Sequence, residues 1–124
     1  MPSEKTLIRH NKNLYPCSTS VVMSIVGGKW KMVILHHLIE GPKRYNELRK
    51  DLQVVTERTL SIQLKQLEKD GMVNRKVYGK KPPIKVVYSL TEFGKTFIPI
   101  MKAICNWGDQ VVADQGEIIT ISDE

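Results

Sequence analysis

Apolar residues recur three and four positions apart along most of this chain, and after residue 71 that rhythm gives way to strict alternation. Val21, Val22, Ile25 and Val26 predict a short first helix that Ser18 or Ser20 can cap and that Gly27-Gly28 closes. Trp30, Val33, Ile34, His37 and Leu38 form a core stripe on a second helix, stopped by Gly41-Pro42. Arg44-Tyr45 leaves room for one short extended piece, after which Asn46 can cap a third helix with Leu48 and Leu52 inward. A turn through Gln53, Val54 and Val55 leads to TERTLSIQLKQLEKD, where Thr56 caps, Leu60, Leu64 and Leu67 share one face, and Gly71 ends the helix. Two short helices joined by a few residues predict a helix-turn-helix.

The alternating stretch reads as two strands, Met72 to Tyr78 and Lys85 to Leu90, around the loop GKKPPI. The loop is longer than a tight turn and is stiffened by Pro82-Pro83, so the hairpin has the form of a wing. From Thr91 a final helix runs with one interruption to about Ala113, with Pro99 kinking or breaking it because proline removes the bond to the carbonyl of Lys95. Phe93, Phe97, Ile100, Ile104, Trp107 and Val111 make a heptad seam. A second row, Ile98, Met101, Cys105 and Val112, widens the apolar arc beyond one packing contact. One row then serves the protein's own core and the other the same helix of a second subunit about a twofold axis. Of these we place Ile98, Met101, Cys105, Trp107 and Val112 at the subunit interface. The fold class is α+β, mostly helical: a winged helix-turn-helix with a C-terminal dimerisation helix. Residues 1–16 form an N-terminal arm anchored by Leu7, Ile8 and Leu14, residues 17–108 the winged-helix domain with its dimer helix, and residues 109–124 the helix end and an acidic tail. For GEIITISDE, a loose tail and an added strand both remain open.

Charge sharpens this picture. All 19 Lys and Arg lie in residues 1–102 with 8 of the 13 acids, a net of +11, which leaves −5 for the remaining residues. Basic charge alone suits DNA, RNA or an anionic membrane equally, so its placement decides. The outer face of the fourth helix carries Arg58, Ile62, Lys65 and Lys69, flanked by Thr59, Ser61 and Gln66. That face offers a fork donor for guanine, polar groups for base edges and an apolar group for a thymine methyl. Arg58, Thr59, Ser61, Ile62 and Lys65 are therefore the expected base readers. Arg49, Lys50, Lys69, Arg75, Lys76, Lys80, Lys81 and Lys85 are expected to serve phosphates, the wing residues along the backbone or in the minor groove. A solvated amphipathic helix followed by a solvated hairpin is the plain alternative.

Other classes find little support. No apolar run is long enough to span a bilayer and the first residues lack a secretory block, so a cytoplasmic protein is expected. There is no nucleophile elbow, no phosphate loop and no paired carboxylate in a cleft arrangement, which argues against an enzyme or a cofactor. His10 and His36 lack partners at metal spacing and His37 sits on the core stripe, so no metal is expected. Two cysteines are too few for a disulfide framework. Cys17 stands at the entry to a helix, where unpaired amides favour a thiolate, while Cys105 reads first as a packing residue of the last helix.

Taken together, the residues from Cys17 to Gly108 resemble the HxlR family of bacterial winged-helix transcriptional regulators. The resemblance rests on Cys17, GGKW at Gly27 to Trp30, GPKRYNEL, TERTLSIQLKQLEKDGMV, Pro82-Pro83, YSLTEFG at Tyr88 to Gly94, Pro99 and Trp107-Gly108. It implies a homodimer joined through its terminal helices, with two recognition helices and two wings on one face. It also implies near-palindromic operators, control of transcription, more simply by repression, and in some members sensing of oxidants or electrophiles at the N-terminal cysteine. Under that implication, oxidation joining Cys17 of one subunit to Cys105 of the other would turn the recognition helices out of register. The rival readings are a winged helix docking an acidic protein partner, an RNA-binding module, and a regulator answering a small ligand that is not thiol-reactive.

Overall fold

In the computed structural model, which describes residues 6–121, the expected arm is a hairpin. Strands β1 (Ile8–His10) and β2 (Asn13–Tyr15) pair antiparallel, with Arg9 opposite Leu14. Asn11 and Lys12 both take positive φ, 48° and 70°, the primed two-residue turn whose twist matches paired strands. With Lys where glycine usually stands, the turn gave little sequence signal. Residues 1–5 of the arm, and Asp123 and Glu124 of the acidic tail, lie outside the described residues.

Helix α1 (Ser18–Val26) follows, and its N-cap is Cys17 rather than either serine, with no side-chain cap bond. Helix α2 (Lys31–His37) buries Ile34, Leu35 and Leu38, whereas Val33 is 36% exposed and Trp30 and His37 are half-buried. The core stripe is thus rotated from the expected one. The cause is two-sided packing: α2 touches both α4 and α6, so adjacent positions 34 and 35 are covered together. Strand β3 (Lys43–Arg44) leads into α3 (Tyr45–Asp51). Its cap is Arg44, whose backbone N–H donates to Glu47 Oε1 at 3.1 Å, and Asn46 lies inside the first turn.

Helix α4 (Glu57–Lys69) keeps the expected phase, with Leu60, Leu64 and Leu67 fully buried. Thr56 Oγ1 accepts from the Thr59 N–H at 3.1 Å. At the other end the Met72 N–H reaches the Leu67 carbonyl and the Gly71 N–H the Glu68 carbonyl, a Schellman close that requires the +79° φ of Gly71. The chain then enters β4 (Val73–Tyr78), which pairs antiparallel with β5 (Lys85–Leu90) from Val73–Leu90 out to Tyr78–Lys85. β3 joins the free edge of β5, giving the sheet order β3-β5-β4.

Thr91 Oγ1 accepts from the Gly94 N–H and donates to the Gly71 carbonyl, tying the start of α5 (Glu92–Lys95) to the end of α4. Gly94 fits there because a Cβ would lie 2.2 Å from the Met72 carbonyl oxygen. The helix breaks at Thr96-Phe97, and α6 (Ile98–Gln115) starts with Pro99 in its first turn, where the missing N–H costs nothing. Glu117 to Ile121 form no regular element. Among the described residues no helix is long and apolar enough to cross a membrane.

Candidate nucleic-acid interface

The core fixes α4 by three leucines and leaves its opposite face in solvent. Arg58, Ser61, Ile62 and Lys65 are exposed there, Ile62 to 43%. Thr59 is half-buried, and its Oγ1 accepts from Thr56 Oγ1 at 2.9 Å, so it belongs to the cap as much as to the face. The Ser61 hydroxyl is 3.0 Å from the Tyr45 hydroxyl, which ties the middle of α4 to the first residue of α3.

The expected phosphate residues separate into groups. Arg75, Lys76, Lys80, Lys81 and Lys85 are exposed on the β4–β5 hairpin and its loop, and Lys50 is exposed on α3. Lys69 is exposed at the far end of α4, away from the cleft that the wing makes with α3 and α4. Arg49 is different. Its Nη1 donates to the Val55 carbonyl at 2.8 Å, bridging α3 to the turn before α4, so this half-buried guanidinium sets the geometry of the two helices. The turn's backbone demanded a donor, and a lone Arg in the sequence did not reveal that use.

Three residues that the sequence analysis did not assign to this face line clefts beside it. Tyr45 lines the cleft between α4 and the sheet together with Ser61, Lys65 and Arg75. Arg44 and Asn46 face Pro83, Ile84 and Lys85 of the wing loop across a second cleft. Only the close pairing of β3 with β5 brings them there, at Arg44–Val87.

The thiols occupy separate places. Cys17 is exposed, with Sγ 3.4 Å from Ser20 Oγ, and that hydroxyl, helped by the amides of Ser20 and Thr19, holds the thiol below its ordinary value. Cys105 is half-buried on α6, with Sγ 3.6 Å from His36 Nδ1 of α2. The expected interface residues also divide. Met101 is 1% exposed and Ile98 packs half-buried on the same core, so both belong to their own subunit. Trp107, 69% exposed, and Val112 remain outward, joined by Phe93, Ile100 and Ile104. The expectation reversed part of the two rows because the break at Thr96-Phe97 resets the helical phase.

A recognition helix held on a three-helix core beside a basic two-stranded wing defines the class of winged helix-turn-helix regulators. The profile of the HxlR-like helix-turn-helix matches residues 25–116, and the chain belongs to the HxlR family of DNA-binding transcriptional regulators. It is 46% identical over 102 residues to the HTH-type transcriptional regulator YybR of Bacillus subtilis, spanning 79% of this chain and 81% of that protein. Its fold is similar to the redox regulator HypR in its oxidised form, with a TM-score of 0.71 and 45% identity over 76% of this chain and 96% of that one. It is also similar to the reduced form of the transcriptional regulator YodB from B. subtilis, with a TM-score of 0.65 and 33% identity over 76% and 92% of the two chains.

Proposed function

We propose that this regulator binds near-palindromic duplex DNA as a homodimer in the cytoplasm and that Cys17 is its sensor. The observation that carries the DNA reading is the solvent face of α4, where a fork donor, a hydroxyl, an apolar group and an ammonium stand in a row beside five wing cations. Arg58, Ile62 and Lys65 read bases, with Thr59 and Ser61 as polar neighbours held by Thr56 and Tyr45. Lys50, Arg75, Lys76, Lys80, Lys81 and Lys85 hold the backbone. A twofold dimer sets two such helices about 34 Å apart, one helical turn of DNA. The exposed apolar residues of α5 and α6 supply the surface such a dimer needs.

For sensing, the supporting observations are the exposed, acidified thiol of Cys17 and the similarity to a redox regulator. Oxidation of Cys17 and Cys105 of the partner subunit gives one disulfide, releasing two protons and two electrons to a peroxide that becomes two waters. The test is footprinting of the DNA upstream of the protein's own gene, at fixed salt, with and without peroxide. Protection of a near-palindrome that vanishes on oxidation, and persists in the Cys17→Ser variant, is the expected result. Protection indifferent to peroxide removes the thiol switch and leaves the regulator. Absence of protection removes the operator reading.

A further inference from the structure

The recognition helix has a second basic flank, on the side away from the wing. There the turn of the β1–β2 hairpin, the start of α2 and the end of α4 enclose an open cleft of about 650 Å³. Lys12, Lys31 and Lys69, one from each element, line it with Asn11 and Gln66, and Asp70 is its one carboxylate. None of the three lysines makes an ion pair among the described residues. Cations gathered from three separate elements around one acid repel each other unless an anion lies between them.

The position of the cleft identifies the anion. Ser61, Lys65 and Glu68 line the wing-side cleft and Gln66 and Lys69 line this one, so the outer row of Arg58 and Ile62, which Lys65 and Lys69 extend, has a cleft on either side. A helix in a major groove about 12 Å wide has a phosphate row on either side of it. The wing reaches one row. We propose that the β1–β2 hairpin, with Lys31 and Lys69, is a second clamp that holds the opposite phosphate row of the operator. This rests on the duplex-binding reading above and assigns the N-terminal arm a DNA contact.

The test uses the full chain and the footprinted operator, with affinity measured across a salt series. In the triple variant Lys12→Asn, Lys31→Gln, Lys69→Gln, which removes three ammonium groups from each subunit of the dimer, the slope of log affinity against log salt should become shallower by about 5, while discrimination against a base-substituted operator is unchanged. Lys12→Asn alone keeps a residue suited to the turn and, with one lysine lost from each subunit, should remove about 1.8 of that slope, which guards against a folding artefact in the triple variant. Wild-type slopes in both variants, beside a reduced slope in Lys81→Gln, overturn the clamp and leave DNA binding intact. Loss of inorganic pyrophosphate binding with a wild-type DNA slope also overturns it, in favour of a small-anion site. A wild-type protein that binds no duplex fails at the underlying reading instead.

Discussion

Single side chains in this protein divide between those left exposed on the proposed DNA face and those whose hydrogen bonds hold the elements that carry it. Arg58 stands free on α4, whereas Arg49 spends a guanidinium nitrogen on the Val55 carbonyl. Arg58→Ala should therefore relax preference at one base, costing about 1 to 3 kcal/mol against the cognate operator and little elsewhere. Arg49→Ala should weaken every sequence alike and lower stability by about 1 to 2 kcal/mol, because a backbone acceptor in the turn loses its donor. Competition binding with single-base operator variants, beside a urea melt, separates the two; a base-specific loss in Arg49→Ala would return that residue to the interface. Both arginines are equally visible in the sequence, and nothing there distinguishes them, since the carbonyl that captures Arg49 is created by the fold of the turn. At Cys17 the hydroxyl of Ser20 is the first cause of its acidity. Ser20→Ala should raise the thiol and slow its alkylation by iodoacetamide at pH 7 by about two- to fivefold, with Cys105 as the internal reference. Equal rates in the two proteins would mean that the hydroxyl does not stabilise the thiolate.

At the level of elements, periodicity marked every helix of the domain and both wing strands, because each buries a regular stripe or alternates across a sheet. It misplaced the faces of α2 and of the last helix, since α2 packs on two neighbours and a break at Thr96-Phe97 resets the phase of α6. It missed the first hairpin, whose turn uses Asn-Lys in place of a glycine pair. The junction of α2, β3 and α3 shows the same dependence on packing. Lys43 Nζ donates to Asp51 Oδ2 at 2.8 Å, raising the lysine and holding the carboxyl below its ordinary value, and His37 Nδ1 lies 3.8 Å from the same oxygen. Burial, and next the Lys43 ammonium, push His37 below 6.5 in spite of Asp51. A histidine depressed in the folded state makes its contribution above the unfolded value, and that contribution is lost as pH falls from about 6.5 toward the folded value. Asp51 acts in the same direction at lower pH, as the medium falls through the carboxyl range. Thermal midpoints at pH 7.5 and 5.5 should therefore fall further in the wild type than in His37→Gln. Parallel decreases would show that the imidazole does not report the fold's acid sensitivity.

For the molecule as a whole, the proposed dimer would have to cover the exposed apolar surface. Trp107, Phe93, Ile100 and Ile104 lie outward on α5 and α6, and a lone subunit would leave their rings and branched chains in water. Covering them stabilises a pair at about 25 cal/mol per Å² of apolar area removed, less the cost of ordering two bodies. A charge placed in such a patch must be desolvated without a partner, so one substitution should be decisive. Ile104→Glu keeps helix-forming character in α6 at an exposed position and leaves the buried Met101 in place, so the subunit should fold with its midpoint within a few degrees of the wild type. Sedimentation velocity should then show a shift from dimer to monomer at micromolar concentration. Operator affinity should fall by tenfold or more, because one recognition helix would have to bind without the effective concentration supplied by the other. The same variant separates dimer assembly from DNA contact, since the α4 face and both basic flanks are untouched: its affinity for a single half-site should equal that of the wild-type monomer unit. An Ile104→Glu protein that sediments as a dimer would place the twofold contact elsewhere on the surface. A monomer that still bound the full operator at wild-type strength would mean that the two half-sites are read independently.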